Sequence, residues 1–296
     1  MKTNLEGTGL ALVTPFNAQG KIDFTALGHI VENVIGNGIE YLVVLGTTGE
    51  SVTLSKEEKA EVLQFVIEAN GSQAGIVLGV GGNNTTEVIS SLHQYDLKGV
   101  DAILSVSPYY NKPTQEGIFQ HFLSIIEASP LPLILYNVPG RTVVGMTAET
   151  TLRIARASDK VIATKEASGN FGEITKILRD KPKAFSVISG DDSLLLPMMA
   201  IGGAGVISVA ANAVPGAIAS LTHLALNGEF KQAAELHLRL QTMFDALFID
   251  GNPAGVKAAL HSTGTIDNIL RLPLIPVNES TYKILVREMA FLSAQH

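Results

Sequence analysis

The chain reads as an α/β protein, a (β/α)8 TIM barrel followed by a small C-terminal helical domain. Three observations lead there. Short, nearly continuous apolar runs recur along the first three-quarters of the chain, as expected of parallel strands buried on both faces. Their starts lie roughly 20–35 residues apart, the room that a crossover helix and two loops require. After about Asn227 the strand signal stops and only helical patterns remain. An open doubly wound sheet is the competing architecture, but so many strand–helix alternations are better accounted for by closure.

The elements follow in order. A first strand is expected at Leu10–Thr14. Asp23 can cap a helix whose residues Ala26, Leu27, Ile30, Val31, Val34 and Ile35 share one face, ending near Asn37-Gly38. The second strand is Tyr41–Leu45, and Ser55-Lys56-Glu57-Glu58 matches a capping box ahead of Ala60, Val62, Leu63 and Val66. Strands three and four are Ile76–Gly79 and Ala102–Val106, after which Thr114 opens a helix carrying Ile118, Phe119, Phe122, Ile125 and Ile126. Leu133–Asn137, Val161–Lys165, Phe185–Ser189 and Val206–Val209 complete the set of strands. Phe230–Phe248, Pro253–Ser262 and Asn278–Leu292 read as helices. The expected division is therefore a barrel over 1–227 and a helical domain over 228–296.

Composition narrows the function classes. Hydrophobic residues make up 46% and charged residues 17% of the 296 positions, a globular profile. Lys plus Arg count 21 against 28 Asp plus Glu, a net charge of −7, which gives no support to a nucleic-acid or anionic-membrane partner. Without cysteine there is no disulfide framework, thiolate zinc site or cysteine nucleophile. The stretch Met1–Glu6 lacks the apolar core of a signal peptide, and no run approaches the roughly 18–20 apolar residues of a membrane span. A soluble, cytoplasmic protein is expected.

The residue that stands out chemically is Lys165, which closes the apolar run Val161-Ile162-Ala163-Thr164. Burial favours the neutral amine, and a neutral amine attacks carbonyls to form Schiff bases, as an always-charged arginine does not. The plain alternative is a strand-end lysine that snorkels to water or pairs with Glu166. In a (β/α)8 barrel the active site lies where strands end and βα loops begin. The polar residues expected there are Gly46-Thr47-Thr48-Gly49-Glu50-Ser51, Tyr109-Tyr110, Tyr136 with Pro139-Gly140-Arg141-Thr142, Lys165, and Gly190-Asp191-Asp192. Each also has a structural reading: a Ser/Thr turn, aromatic packing, a surface cation, a helix N-cap at Asp191-Asp192. Gly79-Val80-Gly81-Gly82 lacks the lysine of a P-loop and the spacing of a dinucleotide fingerprint. His29, His93, His121, His223, His237 and His261 fall on expected helices and His296 on the terminus, so none is assigned to catalysis or to a metal.

Gly46-Thr47-Thr48-Gly49-Glu50, Tyr136-x-x-Pro139-Gly140-Arg141-Thr142 and Lys165-Glu166 resemble, in order and barrel position, the motifs of the dihydrodipicolinate synthase family of pyruvate-dependent class I aldolases. The similarity runs from Gly9–Phe16 to the C-terminal helices, with Gly190-Asp191-Asp192 and Gly205-Val206-Ile207-Ser208 matching later strand ends. The resemblance implies that Lys165 forms an imine with pyruvate, whose enamine attacks L-aspartate 4-semialdehyde, with no metal or organic cofactor. It implies Tyr136 as proton donor and acceptor and Thr47 and Tyr110 as its relay. It places Thr48 on the pyruvate carboxylate, Arg141 on the semialdehyde carboxylate, and Gly190 and Ile207 at the pyruvate pocket. It further implies a homotetramer, a dimer of dimers in which Tyr110 serves the neighbouring subunit's site. N-acetylneuraminate lyases and 2-keto-3-deoxy-acid aldolases share Lys165 and Tyr136, whereas Thr48 and Arg141 favour the synthase. A non-catalytic ligand-binding barrel is the alternative from another class. Ser51, Asn83, Glu87 and Tyr109 match the family's pocket for the inhibitor L-lysine. Lys56 and Lys59 stand where sensitive members often have histidines, so weak inhibition is expected.

Overall fold

A computed structural model describes residues 5–294; Met1–Asn4 of the expected leaderless start, and His296, lie outside them. Among the described residues the strands are β1 Gly7–Ala11, β2 Tyr41–Val44, β3 Gly75–Gly79, β4 Ala102–Val106, β5 Leu133–Asn137, β6 Val161–Glu166, β7 Ser186–Ser189 and β8 Gly205–Ser208. They form one closed parallel barrel in sequence order, with β1 returning to β8 through Gly7 opposite Gly205 and Gly9 opposite Ile207. That seam is tight. A Cβ at Gly205, whose φ is +151°, would lie 1.9 Å from the carbonyl oxygen of Gly7, so only glycine fits.

The helices are α1 Phe24–Gly36, α2 Lys56–Asn70, α3 Thr85–Leu92, α4 Gln115–Ala128, the single turn α5 Pro139–Thr142, α6 Ala148–Ala157, α7 Phe171–Asp180, α8 Leu195–Ala200 and α9 Pro215–Leu226. Caps chosen by sequence set their starts. Asp23 accepts from the amide of Ala26, and Ser55 with Glu58 forms a reciprocal capping box. The α1 face Ala26, Leu27, Ile30, Val31 and Val34 is buried. Each of the larger ones, Leu27, Ile30, Val31 and Val34, contributes about 1.5–3 kcal/mol on leaving water. Beyond the barrel come α10 Phe230–Ala246, α11 Ala254–Ser262 and α12 Glu279–Ser293, with α12 packed on both others and α10 on α9.

Two apolar clusters divide the interior. The larger fills the layer between strands and helices. The smaller lies inside the barrel and includes Ala11, Tyr41, Val43, Val77, Leu104, Ile134, Tyr136, Ala163, Ile188 and Ile207. Strand alternation decides membership: on β6, Ala163 and Lys165 share one face while Thr164 and Glu166 share the other. The departure from expectation is β1, which runs three residues earlier than Leu10–Thr14. Leu12 and Val13 are buried, but in the loop leaving the barrel. Gly7, Thr8 and Gly9 pair as a strand despite the two glycines, because they lie in the seam.

Candidate active site

β5 and β6 are neighbours in register, with Tyr136 opposite Lys165. Both side chains are buried, and the Lys165 Nζ lies 4.4 Å from the Tyr136 ring centroid. Burial is the main influence on the amine and draws its pKa down to about 8; Arg141 pushes the same way, while Asp192 opposes both. Burial pushes the Tyr136 phenol up, and Arg141 and a hydrogen bond with Thr47 pull it back. On β7's end, a Cβ at Gly190 would approach Lys165 Cε to 3.0 Å, so the lysine chain rests against bare backbone. Ile207 on β8 is fully buried inside the barrel.

Glu166 is not the partner of Lys165. Its carboxylate accepts from Asn137 Nδ2 at 2.7 Å and from Ser168 Oγ at 2.7 Å, on the opposite face of β6. The lysine therefore keeps its amine inside the barrel.

The loop after β2 presents Thr47 at the surface and buries Thr48. Thr48 Oγ1 accepts from Asn252 Nδ2 at 2.9 Å, and the Asn252 carbonyl accepts from Arg141 Nη2 at 3.3 Å. Asn252 thus joins the two residues expected to hold carboxylates. It escaped the sequence reading because it lies 204 positions from Thr48 in a loop without a motif. Its own Oδ1 is buried with no protein partner.

The helix N-cap expected at Asp191-Asp192 is Asp191, and Asp192 has a separate part. Asp191 accepts from the Ser193 amide at 2.9 Å, as a cap does. Asp192 is buried and ties β7 to β8, accepting from Ser208 Oγ at 2.5 Å and from the amides of Val209 and Ala210, both at 3.0 Å. Burial raises its carboxyl, and these donors offset part of the rise.

Tyr109 and Tyr110 extend from the β4 loop. Tyr110 is 85% exposed at φ +73°, and among the described residues its hydroxyl makes no hydrogen bond. Ser51, Asn83, Glu87 and Tyr109 lie on the loops or first helical turn after β2, β3 and β4, which are adjacent strands. Asn83 is joined to the Tyr109 turn, its carbonyl accepting from Asn111 Nδ2 at 2.9 Å. The histidines other than His296 sit on helices or at a helix end, His121 buried against Thr85. Among the described residues no group of three acidic or histidine side chains gathers to hold a metal ion.

A (β/α)8 barrel with a desolvated amine, a phenol and a guanidinium at the C-terminal ends of its strands is equipped for imine chemistry on a carbonyl acid. The chain belongs to the dihydrodipicolinate synthetase family, whose model matches residues 4–291. It is 51% identical over 280 residues to the 4-hydroxy-tetrahydrodipicolinate synthase of Parabacteroides distasonis, covering 95% of this chain and 94% of that one. Its fold matches the crystal structure of dihydrodipicolinate synthase from Thermotoga maritima with a TM-score of 0.95 at 36% identity, covering 99% of this chain and 100% of that chain. The chloride-inhibited enzyme from Acinetobacter baumannii complexed with pyruvate matches with a TM-score of 0.93 at 37% identity, over 97% of this chain and 99% of that one. No helix among the described residues is long and apolar enough to cross a membrane.

Proposed function

We propose that this chain condenses pyruvate with L-aspartate 4-semialdehyde to give 4-hydroxy-tetrahydrodipicolinate, the reaction of lysine and diaminopimelate biosynthesis for which its half-identical relatives are named. The observation that carries the reading is Lys165 itself, a buried amine with its pKa drawn down to about 8, facing Tyr136 inside the barrel.

In this reading the neutral Lys165 amine adds to C2 of pyruvate, water leaves, and an imine forms. The imine withdraws electrons, a methyl proton is taken, and the resulting enamine attacks the aldehyde carbon. The amino group of the semialdehyde then replaces Lys165 at C2, which closes the ring and frees the lysine. Tyr136 carries protons at these steps through Thr47, since a buried phenol alone is a poor base at neutral pH. Thr48 receives the pyruvate carboxylate, with Gly190 and Ile207 shaping the pocket. Arg141 supplies a planar fork to the carboxylate of the second substrate. Asn252 supports this division of labour, because it contacts both Thr48 and Arg141.

The working assembly is a homotetramer in which Tyr110 completes the relay of a second copy. The exposure of Tyr110 and its left-handed backbone support that reading, since the side chain reaches outward from a fixed loop. The cytoplasm is the expected compartment for an enzyme of this pathway.

The test is borohydride reduction with pyruvate, followed by mass spectrometry, and a comparison of aspartate semialdehyde with N-acetylmannosamine as second substrate. A pyruvate-derived adduct on Lys165 and turnover with the semialdehyde alone are expected. Turnover with the amino sugar would move the chain to the sialic-acid lyases, and absence of any adduct would leave a ligand-binding barrel.

A further inference from the structure

The interior of the protein holds a second buried lysine. Lys257 on α11 and Glu50 in the β2 loop form an ion pair whose two side chains are both fully buried. Taking both charges out of water is expensive, and apolar residues of similar shape often serve stability as well or better. Stability alone therefore does not explain the pair. Its position does.

Glu50 directly follows Thr47-Thr48-Gly49 and adopts φ +50°, a left-handed conformation that a non-glycine residue keeps only when its surroundings hold it. The restraints come from distant parts of the chain. Lys257 Nζ engages one carboxylate oxygen, donates to the Ile269 carbonyl at 3.0 Å and sits 4.1 Å over the Phe16 ring. The backbone amide of Arg271 donates to the other Glu50 oxygen at 3.1 Å. The Arg271 guanidinium grips Thr53 O at 3.0 Å, just past the same loop, and forms an ion pair with Glu58. From the barrel side, Thr14 Oγ1 donates to Gly49 O at 2.8 Å. With Asn252 on Thr48, the segment from Asn252 to Arg271 clamps the loop that carries both hydroxyls.

We propose that Lys257 and Glu50 are a positioning pair, which holds Thr47 against Tyr136 and so sets the rate of proton movement at the pyruvate methyl group. The proposal rests on the imine reading above and goes beyond it by assigning a rate-setting part to the helices after the barrel. The step concerned is imine to enamine. A methyl C–H bond breaks, its electron pair forms the carbon–carbon double bond, and the imine π electrons move onto nitrogen. The proton passes to the Tyr136–Thr47 relay and out to solvent. Small displacements of such a relay slow transfer without abolishing binding.

The experiment separates imine formation from proton transfer in the full-length protein. Pyruvate alone is supplied, its methyl protons are followed for exchange with deuterated solvent by NMR, and borohydride trapping measures the imine. The double variant Glu50→Gln/Lys257→Met removes both charges with little change in volume. Its trapping is expected to stay near wild type while exchange slows about tenfold or more. Thr14→Val, which releases Gly49 without touching a charge, is expected to show the same split to a smaller degree and carries the test if the double variant does not fold. Wild-type exchange in either folded variant overturns the proposal, as does a parallel loss of trapping and exchange, which would place the defect at the imine pocket. Absence of trapping in the unmodified protein would overturn the imine reading instead.

Discussion

Tyr136 and Lys165 face each other across adjacent strands, with the lysine Nζ 4.4 Å from the centre of the phenol ring. A cation over an aromatic face is attracted to it, yet desolvation there works against the charge. The net outcome is an amine that gives up its proton more readily than an exposed lysine. Replacing Lys165 by Ala or by Arg is expected to abolish the pyruvate adduct, since a guanidinium does not form this imine. Mass spectrometry after borohydride reduction checks it, and near-normal turnover in the arginine variant would refute the Schiff-base assignment.

The same lowered pKa predicts a pH profile. The attacking form is neutral, so kcat/KM for pyruvate should rise about tenfold per pH unit below about 8 and level above it. A stability effect accompanies it with a definite sign. Below pH 8 both folded and unfolded chains carry the proton, so the full cost of burying the charge is present. Between about 8 and 10.5 the folded state releases the proton first, and stability rises through that window. Lys165→Met removes the cost, on the order of 3 kcal/mol at neutral pH. Its melting temperature should exceed wild type at pH 7, with the gap narrowing toward pH 10. A constant gap would contradict the burial argument.

Arg141→Ala is expected to spare the pyruvate adduct and raise KM for the semialdehyde by about ten- to a hundredfold, the loss of a charged hydrogen bond. Steady-state kinetics with each substrate varied in turn decides it. Loss of pyruvate affinity with unchanged semialdehyde KM would mean that the guanidinium serves the other carboxylate.

Gly190→Ala tests the packing behind the amine. The added methyl would meet Ala167 Cβ at 2.8 Å and Lys165 Cε at 3.0 Å, so the lysine chain must shift. Adduct formation should slow by at least about tenfold while circular dichroism stays native. Wild-type trapping kinetics would show that the amine tolerates the displacement.

Inhibition by L-lysine is expected to be weak or absent. Lys56 is exposed on the first turn of α2, and Lys59 one turn on has its pKa lowered by burial and then by Lys56. A cationic ligand approaching both would meet repulsion. Activity titrated with L-lysine at physiological ionic strength measures it; strong, saturable inhibition at sub-millimolar concentration would refute the charge argument.

Much of this was legible along the chain because barrel strands announce themselves locally. Runs such as Leu133–Asn137 and Ala102–Val106 match their strands residue for residue. Lys165 was legible for the same reason, as a charge ending an apolar run. Asn252, Lys257 and the true part of Asp192 were not. Each acts on a partner far along the chain or in a neighbouring strand, and nothing in a short window marks a residue by what the fold brings to it. Gly7 to Gly9 show the converse: their weak strand propensity is overridden by the seam at which the barrel closes.

That seam has a consequence for the growing chain. β1 is the first of the eight strands to leave the ribosome, and its closing partner β8, Gly205–Ser208, is the last of them. Until then the sheet has two open edges, and the burial that depresses the Lys165 amine is incomplete. A solvated lysine keeps an ordinary pKa near 10.4 and is almost wholly protonated at neutral pH. The lowered pKa of the nucleophile is thus a property of the closed barrel and not of its strands one by one.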